Sequence, residues 1–138
     1  MDLNRPKIIT TKLNTDWSEM DRYGHINNVM IQKYVQTARV HFWEETGIGS
    51  GIREDGTGAN LAAVNCKFLL PVLHPETIEI NTSVFFIKNS SFGLRHLLYS
   101  AKGELLAEAE DIVVFFNYHK QKKTEITAEI RAQLELFM

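Results

Sequence analysis

The sequence predicts an α+β fold: an antiparallel sheet of about five strands, one long helix against it, and a short helix at the C-terminus. Three observations predict it. One stretch, Asn28 to Thr46, carries apolar residues at helical spacing. Four strand-like runs follow it, joined by short turns that pair neighbours antiparallel. A segment holding five glycines, Gly47 to Gly58, separates the helix from those runs.

Taken in order, Ile8 to Asn14 is rich in Ile and Thr and reads as the first strand. Asp16 to Asn28 is polar, contains Gly24, and reads as a loop. Ile31, Tyr34, Val35, Ala38 and Phe42 form the buried face of the helix. Asn27 or Asn28 caps its start and Gly47 supplies a left-handed stop. Val40 and Trp43 fall off the stripe, so the helix is expected to be enclosed on more than one side. Gly47 to Gly58, with Arg53, Glu54 and Asp55, is a connecting loop. Asn60 to Leu70 is an apolar strand stopped by Pro71. Ile78, Ile80, Thr82, Val84 and Phe86 share one face of the next strand. Lys88 to Ser91 is a turn, Leu94 to Ala101 a strand and Lys102 to Glu104 a second turn. Leu105 to Tyr118 is a long strand, apolar without a break from Ile112 to Phe116, so it is buried on both faces or meets another subunit. Thr124 to Met138 reads as the last helix, with Ile126, Ile130, Leu134 and Phe137 on one side.

Length and composition bound the function. A chain of 138 residues, 44% hydrophobic and 23% charged, suits one soluble domain spanning residues 1–138. A formal charge of −2 argues against a general nucleic-acid binder, while leaving room for a local basic patch. The lone Cys66 has no internal disulfide partner and reads as a packed thiol. Met1 to Lys7 has no apolar run behind it, and no stretch approaches the ~20 apolar residues of a membrane span, so a cytoplasmic protein is expected. His41, His74 and His96 are scattered without zinc-type spacing, so no metal site is expected.

The segment that carries chemistry is Trp17-Ser18-Glu19-Met20-Asp21-Arg22-Tyr23-Gly24-His25-Ile26-Asn27-Asn28. It sets an acid and a glycine directly before a helix start, where unpaired N–H groups can hold an anion that forms during a reaction. Followed by Tyr34 and Ala38-Arg39, it resembles the signature of hotdog-fold acyl-CoA thioesterases, the 4-hydroxybenzoyl-CoA thioesterase family above all. The resemblance implies a sheet wrapped around the long helix. It implies a homodimer with sites at its interface, and often a homotetramer built as a dimer of dimers.

What it implies for residues is specific. Asp21 attacks the thioester carbonyl or activates water for that attack. The backbone N–H of Asn28 binds the developing oxyanion. His25 orients substrate or Asp21. Gly24, Ile26 and Asn27 complete the substrate-facing segment, with Gly24 serving the backbone turn. Asn65 binds substrate or water from the strand facing the partner's helix start. Ser91 and Lys122, the latter within the run His119, Lys120, Lys122, Lys123, meet the coenzyme A arm and its phosphates. Glu19 takes a surface or salt-bridging role, and Arg39 pairs with an acid to hold the fold. Gln36 departs from the family, which often has glutamate there.

The implied reaction is hydrolysis of an acyl-CoA or acyl-carrier-protein thioester, with no cofactor beyond the coenzyme A of the substrate. A hotdog dehydratase and a non-catalytic acyl-thioester binding module are the competing expectations.

Overall fold

The computed structural model describes residues 5–138; residues 1–4 of the N-terminal stretch read above lie outside the described residues. Among the described residues, six strands and two helices follow in the order β1 (Ile9–Asn14), α1 (Asn28–Thr46), β2 (Thr57–Phe68), β3 (Thr77–Ile87), β4 (Ser91–Tyr99), β5 (Leu105–Asn117), β6 (Lys122–Lys123) and α2 (Ala128–Glu135), with one 3-10 turn at Trp17–Glu19. Every pairing is antiparallel, in the spatial order β1-β3-β4-β5-β2, and the two-residue β6 adds to β5. With α1 laid against one face, this is the hotdog architecture. The sixth strand was not expected: Lys122 and Lys123 fold back on Asn117 and Phe116, a pairing too short to leave a periodic signal.

Local chemistry sets the helix as expected. Asn27 is the N-cap, its side chain accepting from the Val29 N–H at 2.9 Å, and Gly47 stops the helix at φ 74°. Ile26 and Ile31 flank the cap at the positions of a hydrophobic staple, and both are buried in one cluster. Ile31, Tyr34, Val35, Ala38 and Phe42 are all buried. At ~1.5–3 kcal/mol for each large apolar side chain, that stripe holds α1 to the sheet more firmly than any helix propensity.

Several boundaries move. β2 starts at Thr57 and β4 at Ser91, whose carbonyl accepts from the Lys88 N–H (2.7 Å), so Ser91 closes the expected turn and opens the strand. The last helix is confined to Ala128–Glu135, although Ile126, Ile130, Leu134 and Phe137 are all buried as expected. In β3 a bulge between Val84 and Phe86 breaks the alternation. Phe86 therefore turns to the outer face beside Gly93, and Ile87 takes the inward position against the core. A second bulge, between Leu61 and Ala63, sets Leu61, Val64, Cys66 and Phe68 on the face of β2 that points to the helix side.

The interior has two apolar halves. One joins Phe42, Ile48, Phe92, Leu94, Val113 and Phe115 with Ile130, Leu134 and Phe137. The other joins Ile26, Ile31, Tyr34, Val35, Ala38, Val72, Ile78, Ile80, Leu98 and Ala107. Between them lies a polar rung. Arg39 donates to Asp111 from Nε (2.9 Å) and Nη2 (3.0 Å), His96 Nε2 lies 2.6 Å from Asp111 Oδ2, and His96 Nδ1 lies 2.8 Å from Thr82 Oγ1. Thr82, His96 and Asp111 have no exposed surface. Asp111 is thus the acid expected to pair with Arg39, reached across the sheet.

β2 is an edge strand that α1 leaves uncovered. Leu61, Val64, Phe68, Leu69 and Leu70 are between 39% and 46% exposed, an apolar run with an open backbone edge.

Candidate functional site

Asp21 sits at the mouth of a tight turn. Met20 and Ile26 pair across its base, the Asp21 N–H donates to the His25 carbonyl (2.7 Å), and the Gly24 N–H donates to the Asp21 carbonyl (3.2 Å). Gly24 has φ 79° with nothing within 4 Å of a Cβ built there, so backbone conformation and not crowding requires glycine. Asp21 Oδ1 accepts from the Tyr23 N–H (2.8 Å) and the His25 N–H (3.1 Å). Those two donors fix the plane of the carboxylate. Among the described residues nothing bonds its other oxygen, Oδ2.

The start of α1 has a matching feature. In its first turn the Val29 N–H goes to the Asn27 side chain, and the Met30 and Ile31 N–H groups go to the Asn27 carbonyl. Asn28 carries the remaining N–H, which has no acceptor among the described residues. It also sits at the positive end of a 19-residue helix.

Asp21, His25, Ile26 and Asn28 line one cleft of about 250 Å³, closed by Ile31, Phe68 to Val72, Leu106 and Ala107. Val72 fixes its rim by accepting from the Ile26 N–H at 2.7 Å. The apolar wall from Phe68 to Val72 was missed as a site element; its signal was the apolar run broken by Pro71. Gly24 and Asn27 belong to the same turn and cap without lining the cleft.

Three expected residues lie elsewhere. Asn65 pairs with Glu110, on the face of the sheet away from the helix, in a groove with Lys67 and Glu108. Ser91 pairs with Val114, and Lys122 with Asn117, whereas the cleft reaches β5 at Leu106 and Ala107. Along β5 that separates them from the cleft by about 23 and 33 Å.

Glu19 is half-buried rather than on the surface, and of its two expected roles it takes the salt-bridging one, with Lys33 Nζ 3.9 Å from its Oε2. Its side chain is 11% exposed. Its Oε1 accepts from the Tyr34 hydroxyl (2.5 Å) and from the Asp16 N–H (2.8 Å), and its carbonyl accepts from the Asn27 N–H (2.8 Å). Burial, then the bond to Glu19, push the Tyr34 phenol far above its ordinary value, so it remains a donor at any working pH. Arg53 is held over the Phe115 ring, and one of its guanidinium nitrogens is buried without a partner. Among the described residues no group of three or more His, Cys, Asp or Glu is arranged to hold a metal ion, and no helix is long and apolar enough to cross a membrane.

The sheet and the helix laid against it define the class of protein: a hotdog domain, here with an acid and, among the described residues, an unpaired helix-start N–H in one cleft. Comparison with known proteins names the family. The thioesterase-like superfamily matches residues 15–134, and the chain belongs to it. A chloroplastic acyl-acyl carrier protein thioesterase of Arabidopsis thaliana is 23% identical over 122 residues, covering 87% of this chain; the chain spans only 64% of that relative's length. The PA2801 protein of Pseudomonas aeruginosa superposes with a TM-score of 0.78 at 27% identity, covering 90% of this chain and 95% of that one. The SAV2348 protein of Staphylococcus aureus, solved in complex with CoA, superposes with a TM-score of 0.87 at 10% identity, covering 99% and 87%.

Proposed function

We propose that the protein is an acyl-CoA thioesterase of the 4-hydroxybenzoyl-CoA thioesterase type, hydrolysing acyl-CoA to a free carboxylic acid and coenzyme A. The observation that carries the reading is that one cleft holds a carboxylate with one oxygen unbonded and a helix-start N–H with no acceptor. The Asn28 N–H receives the thioester oxygen as negative charge develops on it. Asp21 Oδ2 then either attacks the carbonyl carbon, giving an acyl-enzyme anhydride that water cleaves, or takes a proton from a water that attacks directly. In both routes the C–S bond breaks and the thiolate leaves to be protonated. His25 orients the substrate from the cleft wall. The reaction as read needs no metal or redox group.

The functional unit in this proposal is a homodimer formed through β2. The open edge and its exposed apolar run support it. A two-fold axis through the middle of that run, near Val64, sets Thr57 of one copy across from Pro71 of the other. The β2 start, the 47–58 loop with its exposed Ile52, and the β5–β6 end then flank the other copy's cleft. This gives Ser91 and Lys122 a route to the coenzyme A arm from the second subunit. The half-buried outward side chains of Ile112, Val114 and Phe116 support a further pairing of dimers. The CoA bound to SAV2348 supports coenzyme A as carrier, and the name of the Arabidopsis relative makes acyl-carrier protein the carrier to test beside it.

The test is thiol release from short, long and aromatic acyl-CoAs and from an acyl-carrier-protein thioester, with Asp21→Asn alongside. The wild type should release thiol, and the variant should lose about 10²- to 10⁴-fold while keeping its fold. A wild type silent across the panel, or an equally active variant, overturns the reading; the first outcome leaves a binding module. Single turnover in ¹⁸O-labelled water tests for the anhydride: water attacking its aspartyl carbonyl leaves label in Asp21, which direct attack of water on the thioester never does.

A further inference from the structure

The two reacting groups sit on different pieces of backbone, Asp21 on a turn and Asn28 on a helix. Their joint action depends on a fixed spacing, and a misplacement of about 1 Å can cost on the order of a hundredfold in rate. The bonds inside the turn do not hold that spacing. Asp21 N–H to His25, Gly24 N–H to Asp21, and Oδ1 with Tyr23 and His25 would all survive if the turn swung away from α1 as a unit.

The ties beneath the turn are fewer. On one side the turn is fastened to the Val72–Leu73 segment, His25 bridging Leu73 and the Ile26 N–H bonding Val72; on the other, the Asn27 N–H is fastened to the Glu19 carbonyl. The second tie is only as firm as Glu19, whose N–H bonds the Asp16 carbonyl (3.0 Å) within its own short turn and whose side chain makes the hydrogen bond to the helix. One oxygen takes both the Tyr34 hydroxyl and the Asp16 N–H. Tyr34, 4% exposed in the second turn of α1, belongs to the same cluster as Ile26 and Ile31. Lys33, 66% exposed and 3.9 Å from the other oxygen, is a weak partner by comparison.

We infer that Tyr34 and Glu19 are positioning residues for the proposed thioesterase site: their hydrogen bond ties the stem of the Asp21 turn to the helix that carries the Asn28 N–H. The inference rests on the functional reading above. Neither side chain lines the cleft, so each acts through the backbone it holds. Tyr34→Phe is the sharpest probe, because it keeps the packed ring and removes one donor.

In the full chain, Tyr34→Phe should lower kcat about ten- to a hundredfold with KM changed less than about twofold. Amide exchange at Asn27 should quicken while exchange at Tyr23 and His25, inside the turn, should not. Glu19→Ala, which also frees the Asp16 N–H, should lose at least as much, and the double variant should be no worse than Glu19→Ala alone. Glu19→Gln keeps an acceptor for both donors and should recover most of the loss. Lys33→Ala should behave as wild type. Wild-type kcat and exchange in Tyr34→Phe overturn the inference, as do losses that multiply in the double variant or exchange that quickens throughout the turn. A wild type without thiol release defeats the functional reading instead; the Asn27 exchange then still decides whether this bond holds the turn to the helix.

Discussion

Asp111 is the residue on which most buried polarity converges. Burial pushes its carboxyl up, but hydrogen bonds from His96 and Arg39, and their charge, outweigh it and hold the group below the usual carboxylate value. A carboxylate depressed on folding adds stability above its unfolded pKa of about 4 and loses it as pH falls through the lower folded value. Wild type should therefore lose stability steeply below about pH 4, and Asp111→Asn should have a flatter profile there. At neutral pH the substitution leaves the Arg39 guanidinium, 11% exposed, without its counter-charge, and should cost about 3–5 kcal/mol. Urea unfolding at pH 7, 5, 4 and 3 reads both. At the turn, Gly24→Ala forces a side chain onto φ 79° without a clash and should cost about 1–2 kcal/mol. Asp111 had a trace in the sequence, as the charge at an inward position between Ala109 and Val113. Arg39 was expected to pair with an acid and Thr82 to share the face of Ile80 and Val84, but that they and His96 form one rung with Asp111 had no trace, because they meet only after three strands and a helix have assembled.

At the scale of elements, the start of α1 is the best-specified part of the chain and also the part the site uses. Asn27 caps it, Ile26 and Ile31 staple it, and Tyr34 reaches back beneath the turn. Asn27→Ala should cost about 1 kcal/mol in denaturant titrations and lower thiol release as well. Thr127→Ala removes the equivalent cap from α2, far from the cleft, and should cost a similar amount of stability with activity unchanged. Equal activity losses in the two variants would mean that general destabilisation, not the site, is being measured. The cap residues, the helix stripe and the β3-β4-β5 hairpins were readable because each depends on neighbours a few residues away; the pairing of β2 with β5 rather than β3, and of β1 with β3, was not. The bulge in β3 was not, because a bulge is set by how two strands register, and Phe86 moved to the outer face in consequence.

For the whole molecule, the polar rung divides the core into a half that floors the cleft and a half that anchors α2. The rung also fixes register, since a one-residue slip of β4 or β5 would turn His96 or Asp111 to the outer face. The uncovered edge of β2 is the other feature at this scale. Val64→Lys places a charge in the middle of the exposed run, where the isolated chain can solvate it. If the proposed dimer forms through this edge, light scattering should find the variant a monomer with native circular dichroism, and thiol release should collapse. An active monomer would show that the site is complete within one chain.

The sequence alone determined the fold class and the long helix with its cap and stop, and it singled out the segment from Glu19 to Asn28 as the candidate site. These are local properties: a stripe at 3.6-residue spacing, an alternation at two, a glycine at positive φ, an amide that caps. Tertiary structure decided what depends on distant segments meeting. It gave Arg39 its acid across the sheet, closed the cleft with the wall from Phe68 to Val72, turned Asn65 to the far face and set Ser91 and Lys122 at the opposite end of β5. It also buried Glu19 under Tyr34, because a side chain's burial is decided by what folds over it.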